Sequence, residues 1–206
     1  MSTHRFILRS GAARQYWVAL RMLLAFTVVL GIGYPLVVLG VGQLVFPAAA
    51  NGSLVESDGE VVGSRLIGQS FADSDGVALP EWFQSRPSAA GDGYDPHGSS
   101  GSNQGPESED LVAAIDERRA AVAELNGVDG ASVPADALTA SASGLDPQIS
   151  PEYARLQVER VAEERGLAES DVAALVESKI QGRDLGYLSE PTVNVLELNI
   201  ALARLG

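Results

Sequence analysis

Residues 22–55 contain no charged side chain, and the 21 residues before them carry four arginines and no acidic residue. As a helix at about 1.5 Å per residue, the apolar core of this stretch, residues 23–46, is about 36 Å long. That length is enough to cross a hydrocarbon layer of about 30 Å with some tilt. The sequence therefore predicts a basic N-terminal segment over residues 1–21 and a transmembrane helix over residues 22–46.

The same charge asymmetry predicts the orientation of the chain. Arginines on a short flank hold that end of a membrane helix in the cytoplasm, so everything after Phe46 is expected to be extracytoplasmic. We therefore expect a single-pass protein of the cell membrane. A cleaved secretory signal is the alternative, because Ala48, Ala49 and Ala50 satisfy a small-residue cleavage rule. However, signal peptides have apolar runs of about 7–15 residues, which favours retention of this longer one.

The composition after the apolar segment excludes several classes of protein. All 27 acidic residues lie there with only ten of the 14 basic ones, which gives this part of the chain a net charge of −17. Such a surface repels nucleic acid. The chain has no cysteine, and its two histidines, His4 and His97, are expected on opposite sides of the membrane. A disulfide is thus excluded, and no metal site is predicted because the usual zinc ligand sets are absent.

The rest of the chain is predicted to be a polar connector, residues 47–60, followed by an extracytoplasmic α+β domain, residues 61–206. Its predicted elements, in chain order, are a strand over residues 61–71, an ordered loop over 72–106, helices over 107–125, 151–166 and 169–181, and a last helix capped by Asn194. The loop is expected to be packed rather than disordered, since disordered segments contain few aromatic residues and this one contains Trp82, Phe83 and Tyr94. Few strands and several helices indicate the α+β class.

The membrane segment has one irregular stretch, which contains Gly31, Gly33 and Pro35. Pro35 cannot donate a hydrogen bond to the carbonyl of residue 31, so a kinked helix is expected. Small residues allow a neighbouring helix to approach closely, and these three residues are predicted to bind a partner. The alternative is that glycine is simply frequent in membrane helices.

The sequence contains no convincing catalytic arrangement. The only lysine, Lys179, follows no glycine-rich phosphate loop, and no Gly-x-Ser-x-Gly motif occurs. A serine hydrolase would need His97 as its base, since no other histidine follows the membrane segment. A membrane-anchored extracytoplasmic hydrolase using His97 is therefore one alternative function. A regulatory nucleotide-binding module is another.

Four stretches of the sequence have a distinctive order of amino acids. They are RPSAA at residues 86–90, GSNQGP at 101–106, TASASGLDPQISP at 139–151 and GRDLGYLSEPTVNVLELNIAL at 182–202. Together with one apolar helix at the start of the chain, they closely resemble the C subunit of the high-affinity potassium-transporting (Kdp) P-type ATPases of bacteria and archaea. The resemblance extends from about residue 23 to the C-terminus, and the stretches have the order and spacing of the family throughout.

The resemblance implies a non-catalytic accessory subunit of a potassium uptake pump. Its implied partners are a potassium-channel-like subunit, a catalytic P-type ATPase subunit and a small single-helix subunit. The family's C subunit is regarded as stabilising the complex and as a catalytic chaperone that raises the ATP affinity of the catalytic subunit. The α+β domain is expected to rest over the outer face of the channel-like subunit.

The resemblance also implies roles for individual residues. Ser141, Ser143 and Gly144 lie in a stretch compared with the signature sequence of ABC transporters, which implies weak nucleotide contact. The predicted topology places them outside the cell, so no tightly bound cofactor is expected, and ATP is bound weakly or through the partner subunit. Arg86 and Asn103 are predicted partner contacts. Their alternatives are structural: a buried arginine that satisfies loop carbonyls, and a turn in which the side chain bonds its own backbone.

Overall fold

A computed structural model describes residues 4–206 of the chain, with side chains from residue 11 onward. The chain divides into two compact units, separated between Ser53 and Leu54. The first unit is helical, with α1 at His4–Val28, a π-helical turn at Val29–Gly33, α2 at Tyr34–Val45 and the short α3 at Pro47–Ala50.

The first unit contains the predicted membrane segment. Gly11–Val45 forms one long apolar helix whose most apolar window has a mean hydropathy of 2.4 and no buried residue. Among the residues that the structure describes, this is the single helix long and apolar enough to cross a membrane. The predicted combination of one N-terminal candidate span with a following mixed helix and sheet domain is confirmed.

The irregularity predicted around Pro35 lies at the π-helical turn. The backbone N–H of Tyr34 bonds to the carbonyl of Val29, which is the wider spacing of a π-turn. The helix continues through Pro35 into α2. Pro35 removes one backbone donor, and a local widening of the turn is a usual way for a helix to accommodate such a loss.

The second unit begins with a β-hairpin whose first strand lies inside the segment that was predicted to be a connector. Strand β1, Leu54–Ser57, pairs antiparallel with β2, Glu60–Ser64. Asp58 and Gly59 make the tight turn between them, both with positive φ. The unit thus starts earlier than the predicted boundary at residue 61. The strand predicted over residues 61–71 ends at Ser64, and a turn follows it.

The other elements of the second unit are helices and a small antiparallel sheet. The helices are α4 at Glu109–Asn126, α5 at Ala135–Leu138, α6 at Pro151–Leu156, α7 at Val158–Arg165, α8 at Glu169–Lys179 and α9 at Val195–Ala203, with a 3-10 turn at Gly130–Ser132. The sheet has the order β3-β5-β4, with β3 at Gln148–Ile149, β4 at Ile180–Gln181 and β5 at Thr192–Asn194. These strands have two or three residues each, too few to show a period of two in the sequence.

Several helices begin or end at the capping residues that the sequence predicts. The side chain of Ser150 accepts a hydrogen bond from the N–H of Tyr153, and that of Asn194 accepts one from Glu197. Gly127 and Gly166 end α4 and α7 in the left-handed conformation. Two predictions were wrong in detail. The helix predicted over residues 151–166 is interrupted at Gln157, and the one predicted over 169–181 ends at Lys179 because the next two residues pair with β5.

The hydrophobic core is formed by helix faces, by β3 and β5, and by residues of the connecting segments, among them Phe83 of the long loop. Its completely buried residues are Phe83, Ala154, Val161, Val172, Val176, Val193, Leu198 and Leu202. Phe83 enters from the loop over residues 72–106, and its backbone N–H and carbonyl each form a 3.0 Å hydrogen bond with the side chain of Asn199. The prediction that this loop is ordered and packed is therefore confirmed.

Candidate functional site

Arg86 links two of the distinctive stretches, residues 86–90 and 139–151. Its guanidinium Nη1 lies 2.9 Å from Oδ2 of Asp146, and Nη2 donates to the carbonyl of Thr139 at 3.4 Å. The Nε atom is buried and has no hydrogen-bond partner among the described residues. Both side chains of the ion pair are about one-quarter exposed, at 23% for Arg86 and 27% for Asp146. The arrangement resembles the structural alternative, in which Arg86 satisfies a loop carbonyl.

Ser88 forms a second link between the same two stretches. Its hydroxyl donates to the carbonyl of Gly144 at 2.6 Å and accepts hydrogen bonds from the N–H groups of Ala90 and Tyr94. The hydroxyl of Tyr94 donates to the carbonyl of Arg86 at 2.8 Å. Burial of this phenol raises the pKa of Tyr94 to about 12. These four hydrogen bonds satisfy the polar groups of the link within the protein.

The structure places Ser141, Ser143 and Gly144 together in one tight turn. The N–H of Gly144 donates to Oγ of Ser141 at 2.8 Å, and the N–H of Leu145 donates to Oγ of Ser143 at 3.1 Å. The carbonyl of Ser143 accepts a hydrogen bond from the N–H of Ser100 at 3.0 Å. Ser141 and Gly144 are buried, whereas Ser143 is exposed. Two backbone amides that could have bound an anion therefore already have partners in the fold.

Gly144 is required by this turn. It has φ +67°, and a Cβ atom there would lie 2.7 Å from the carbonyl oxygen of Ser100 and 2.8 Å from the N atom of Ala90. Both neighbours are backbone atoms, which cannot move away as the end of a side chain could. Glycine is thus the residue type that allows residues 88–100 to pack against residues 141–145.

A surface pocket of about 550 Å³ lies beside the turn. It is lined by Leu66, Ile67, Arg86, Ser141, Ala142, Ser143, Leu145, Asp146 and Pro147. The polar groups on its wall are one ion pair and two serine hydroxyls, and Ser141 is nearly buried. With a single guanidinium that is already paired to a carboxylate, the pocket offers a phosphate group little charge. The implied nucleotide contact of these residues stays a prediction.

His97 forms no catalytic arrangement with the residues that the structure describes. Its side chain is exposed, and within the described part of the chain its imidazole forms no hydrogen bond, although its backbone N–H donates to Asp95. A serine hydrolase requires a hydroxyl within hydrogen-bond reach of the base. Among the described side chains, no three histidine, aspartate or glutamate residues lie together in a group that could hold a metal ion.

Besides Arg86, the predicted partner contacts are Gly31, Gly33 and Pro35 in the first unit and Asn103 in the second. Gly31 and Gly33 are in the π-helical turn, and Pro35 is the second residue of α2. A Cβ atom at either glycine would meet no atom closer than 3.6 Å, so the packing of the described helix does not itself require glycine there. Asn103 is exposed with φ +54°, a conformation that asparagine tolerates in turns. Partner binding by these residues and by Arg86 stays a prediction.

The sequence did not indicate the contacts of Ser88, Tyr94 or Asp146, although Ser88 and Asp146 lie inside the distinctive stretches and Tyr94 lies in the loop predicted to be ordered. The Asp-Pro step at residues 146–147 was the one local signal, since an Asp side chain often bonds the backbone two residues on. Asp146 does so, accepting from the N–H of Gln148 at 3.0 Å. The contact with Arg86 spans 60 positions and has no local signature.

Comparison with known proteins decides the family. The family model of the K+-transporting ATPase c chain, KdpC, matches residues 16–204. The chain belongs to the KdpC family. Among its curated relatives, the potassium-transporting ATPase KdpC subunit of Kineococcus radiotolerans is 59% identical over 189 residues, which are 92% of this chain and 93% of that protein. The family resemblance predicted from the four distinctive stretches is thereby confirmed.

Two further relatives carry the same description. The KdpC subunit of Caulobacter vibrioides is 54% identical over 178 residues, or 86% of each chain. That of Mycobacterium tuberculosis is 51% identical over 193 residues, which are 93% of this chain and 99% of the relative. This chain is therefore a membrane-associated subunit of a potassium-transporting ATPase, with one candidate N-terminal span.

Proposed function

We propose that this chain is a non-catalytic accessory subunit that stabilises a potassium uptake pump. The observation that carries the proposal is the long apolar helix at Gly11–Val45, none of whose most apolar window is buried. A helix of this kind needs lipid or other membrane helices around it. In a pump complex it would pack against the channel-like subunit, the catalytic ATPase subunit or the small single-helix subunit that the family resemblance implies.

The polar cluster around Arg86 and Ser88 supports a structural role rather than catalysis. Its hydroxyls, amides and the guanidinium donate mainly to groups of the same domain, which leaves few polar atoms directed at a substrate. An enzyme site would instead combine a nucleophile with an adjacent base. In the described residues the exposed His97 has no such neighbour.

An effect on ATP would then be indirect. The chaperone role implied by the family would raise the ATP affinity of the catalytic subunit by favouring one arrangement of the complex, through the membrane helix. A ligand or subunit shifts such an equilibrium only by its differential affinity for the two arrangements. The internal hydrogen bonds of the Ser141–Gly144 turn, together with the acidic composition after residue 55, support this reading over direct binding of a triphosphate.

The membrane helix provides the experiment. Replacing Gly31 and Gly33 together by leucine adds bulk at the π-helical turn, and less of the chain should co-purify with the pump subunits in mild detergent. The matched control replaces Ala19 and Ala25 by leucine, which adds bulk elsewhere on the same exposed helix. Equal recovery of both variants in an intact complex would contradict a role for these glycines in assembly. An intact, active complex without this chain would contradict the proposed function itself.

The proposed orientation has a separate test. The chain has no cysteine, so a single introduced thiol reports its own accessibility. In intact cells, Ser57→Cys should react with a membrane-impermeant thiol reagent, whereas Ser10→Cys should react after lysis alone. The physical reason is the distribution of arginines and acidic residues on the two sides of the apolar segment. The opposite labelling pattern would place the domain in the cytoplasm and revive direct contact with ATP.

A further inference from the structure

The connection between β4 and β5 is the part of the second unit that the fold leaves most exposed. Every residue from 181 to 190 is exposed, and the segment carries three large apolar side chains. Leu185 is 81% exposed, Tyr187 is 70% exposed and Leu188 is 47% exposed. We call residues 182–190 the hairpin tip. Exposed loops are normally polar, so three neighbouring apolar side chains that contribute nothing to the core require another explanation.

The hairpin tip has a defined conformation. The N–H of Gly186 donates to the carbonyl of Arg183 at 3.1 Å, and that of Leu188 donates to the carbonyl of Asp184 at 2.9 Å. At the base of the tip, Arg183 forms an ion pair with Glu190. Leu185 has φ +54°, which is unfavourable for leucine and is held by this network. The turn thus projects apolar side chains from a preorganised backbone, which lowers the entropy cost of binding.

Charge indicates what covers the tip. Loops that insert into membranes combine apolar residues with lysine or arginine, which attract anionic lipids. The tip instead carries Asp184 and Glu190 against the single basic residue Arg183, on a part of the chain with a net charge of −17. The same charge disfavours a second copy of this chain, because two acidic tips would face each other. A protein surface with an apolar groove and a basic or neutral rim fits these features.

We infer that the hairpin tip docks into an apolar groove on the extracytoplasmic surface of a partner subunit of the pump. This inference rests on the proposed function and specifies where the domain contacts the complex. Leu185 and Tyr187 are the anchoring side chains, and the Arg183–Glu190 pair fixes the base of the turn. Large, preorganised aromatic and aliphatic groups at the centre of a contact carry most of its binding energy.

The first experiment replaces the anchors in the full-length chain, co-expressed with its partner subunits. The double variant Leu185→Asn, Tyr187→Asn keeps a residue that tolerates positive φ at position 185. The control, Val112→Asn, makes a similar change at a side chain of α4 that is 51% exposed. Retention of the double variant in the detergent-solubilised complex should fall about tenfold or more, whereas the control should match the wild type.

Thermal unfolding of the isolated full-length chain shows whether the double variant still folds, and its midpoint should be unchanged. Equal retention of the double variant and the wild type would overturn the inference while leaving the proposed function intact. If instead the wild-type chain itself fails to co-purify with the pump subunits, the proposed function falls, and the inference falls with it.

The second experiment identifies the occupant. Leu188→Cys supplies the single thiol of the full-length chain and is labelled with an environment-sensitive fluorophore. The emission should shift to the blue when the labelled chain assembles with the pump subunits. It should not shift in vesicles of phosphatidylethanolamine and phosphatidylglycerol that contain the labelled chain alone. A shift in those vesicles at all protein densities would assign the tip to the membrane, and one that grows with protein density would assign it to a second copy. Either result would overturn the inference.

Discussion

Residues 84–101 and the hairpin tip at residues 182–190 are both rich in glycine, serine and charged residues, but the fold uses them in opposite ways. The first segment is tied to residues 139–146 by the contacts of Arg86 and Ser88, and it contains the completely buried Ala90. The tip forms its hydrogen bonds and ion pair within itself, and all its residues are exposed.

This difference separates stability from assembly. Where polar and small residues are buried against a second segment, each of them contributes to the free energy of folding, and a substitution is felt by the whole domain. Where a turn forms hydrogen bonds only within itself, substitutions change its surface and have little effect on the free energy of folding. Three pairs of substitutions test this difference. In each pair, one residue belongs to residues 84–101 or contacts them, and the other is a residue of the same type in the hairpin tip.

The largest expected difference is between two glycines with positive φ. Gly144→Ala should destabilise the chain by about 3–5 kcal/mol, because strain at φ +67° adds to contacts of 2.7–2.8 Å with backbone atoms. Gly186→Ala should cost about 1–2 kcal/mol, since φ is +84° but no other atom lies within 4 Å of the added Cβ. Urea unfolding of the detergent-solubilised chain measures both. Equal losses would show that residues 88–100 do not pack tightly against the Ser141–Gly144 turn.

The second comparison concerns two ion pairs. Arg86→Met should cost about 2 kcal/mol, because it leaves the carboxylate of Asp146 partly buried without its partner. Arg183→Met should cost less than about 1 kcal/mol, since the side chains of Arg183 and Glu190 are 43% and 76% exposed. The midpoints of thermal unfolding, followed by circular dichroism, report the difference. A larger loss for Arg183 than for Arg86 would reverse the roles assigned to the two segments.

The smallest expected effect is a dependence on pH that distinguishes two tyrosines. Burial raises the pKa of Tyr94 to about 12, so its neutral form stabilises the folded chain fully below the unfolded pKa of about 10. That contribution is lost as the pH rises from about 10 towards 12. Between pH 10 and 11 the wild type should lose up to about 1 kcal/mol that Tyr94→Phe does not lose.

Two features make this measurement specific. Burial is also the largest cause of the raised pKa of Tyr153, and because that residue is present in both proteins, most of its contribution cancels in the comparison; the charge of Tyr94 is the smallest of the causes. Tyr187→Phe is the control, because it makes the same substitution at a tyrosine of the hairpin tip whose side chain is 70% exposed. Identical pH profiles for the wild type and Tyr94→Phe would show that the Tyr94 phenol is not buried in solution.

Features set by neighbouring residues could be predicted from the sequence. The apolar helix, the caps at Ser150 and Asn194, and the glycine ends at Gly127 and Gly166 each depend on residues within a few positions, so their pattern is visible in the chain itself. The short strands could not be predicted, because two or three residues show no alternation. The hairpin β1–β2 was also missed, since its first strand lies in a segment that had been expected to be a connector.

The candidate site depended on both kinds of information. The four distinctive stretches indicated the family, and they named Arg86, Ser141, Ser143 and Gly144 as residues of interest. The tertiary structure decided what these residues contact, because the bonds of Arg86 to Asp146 and of Ser88 to Gly144 join positions more than 50 residues apart. Burial is likewise a property of the fold: Gly144 is buried and Tyr187 is exposed, although both lie in distinctive stretches of the sequence. The candidate membrane span, the charge asymmetry and the family could be recognised from the order of residues along the chain, whereas packing between distant segments sets which polar segment is buried and which is presented on the surface.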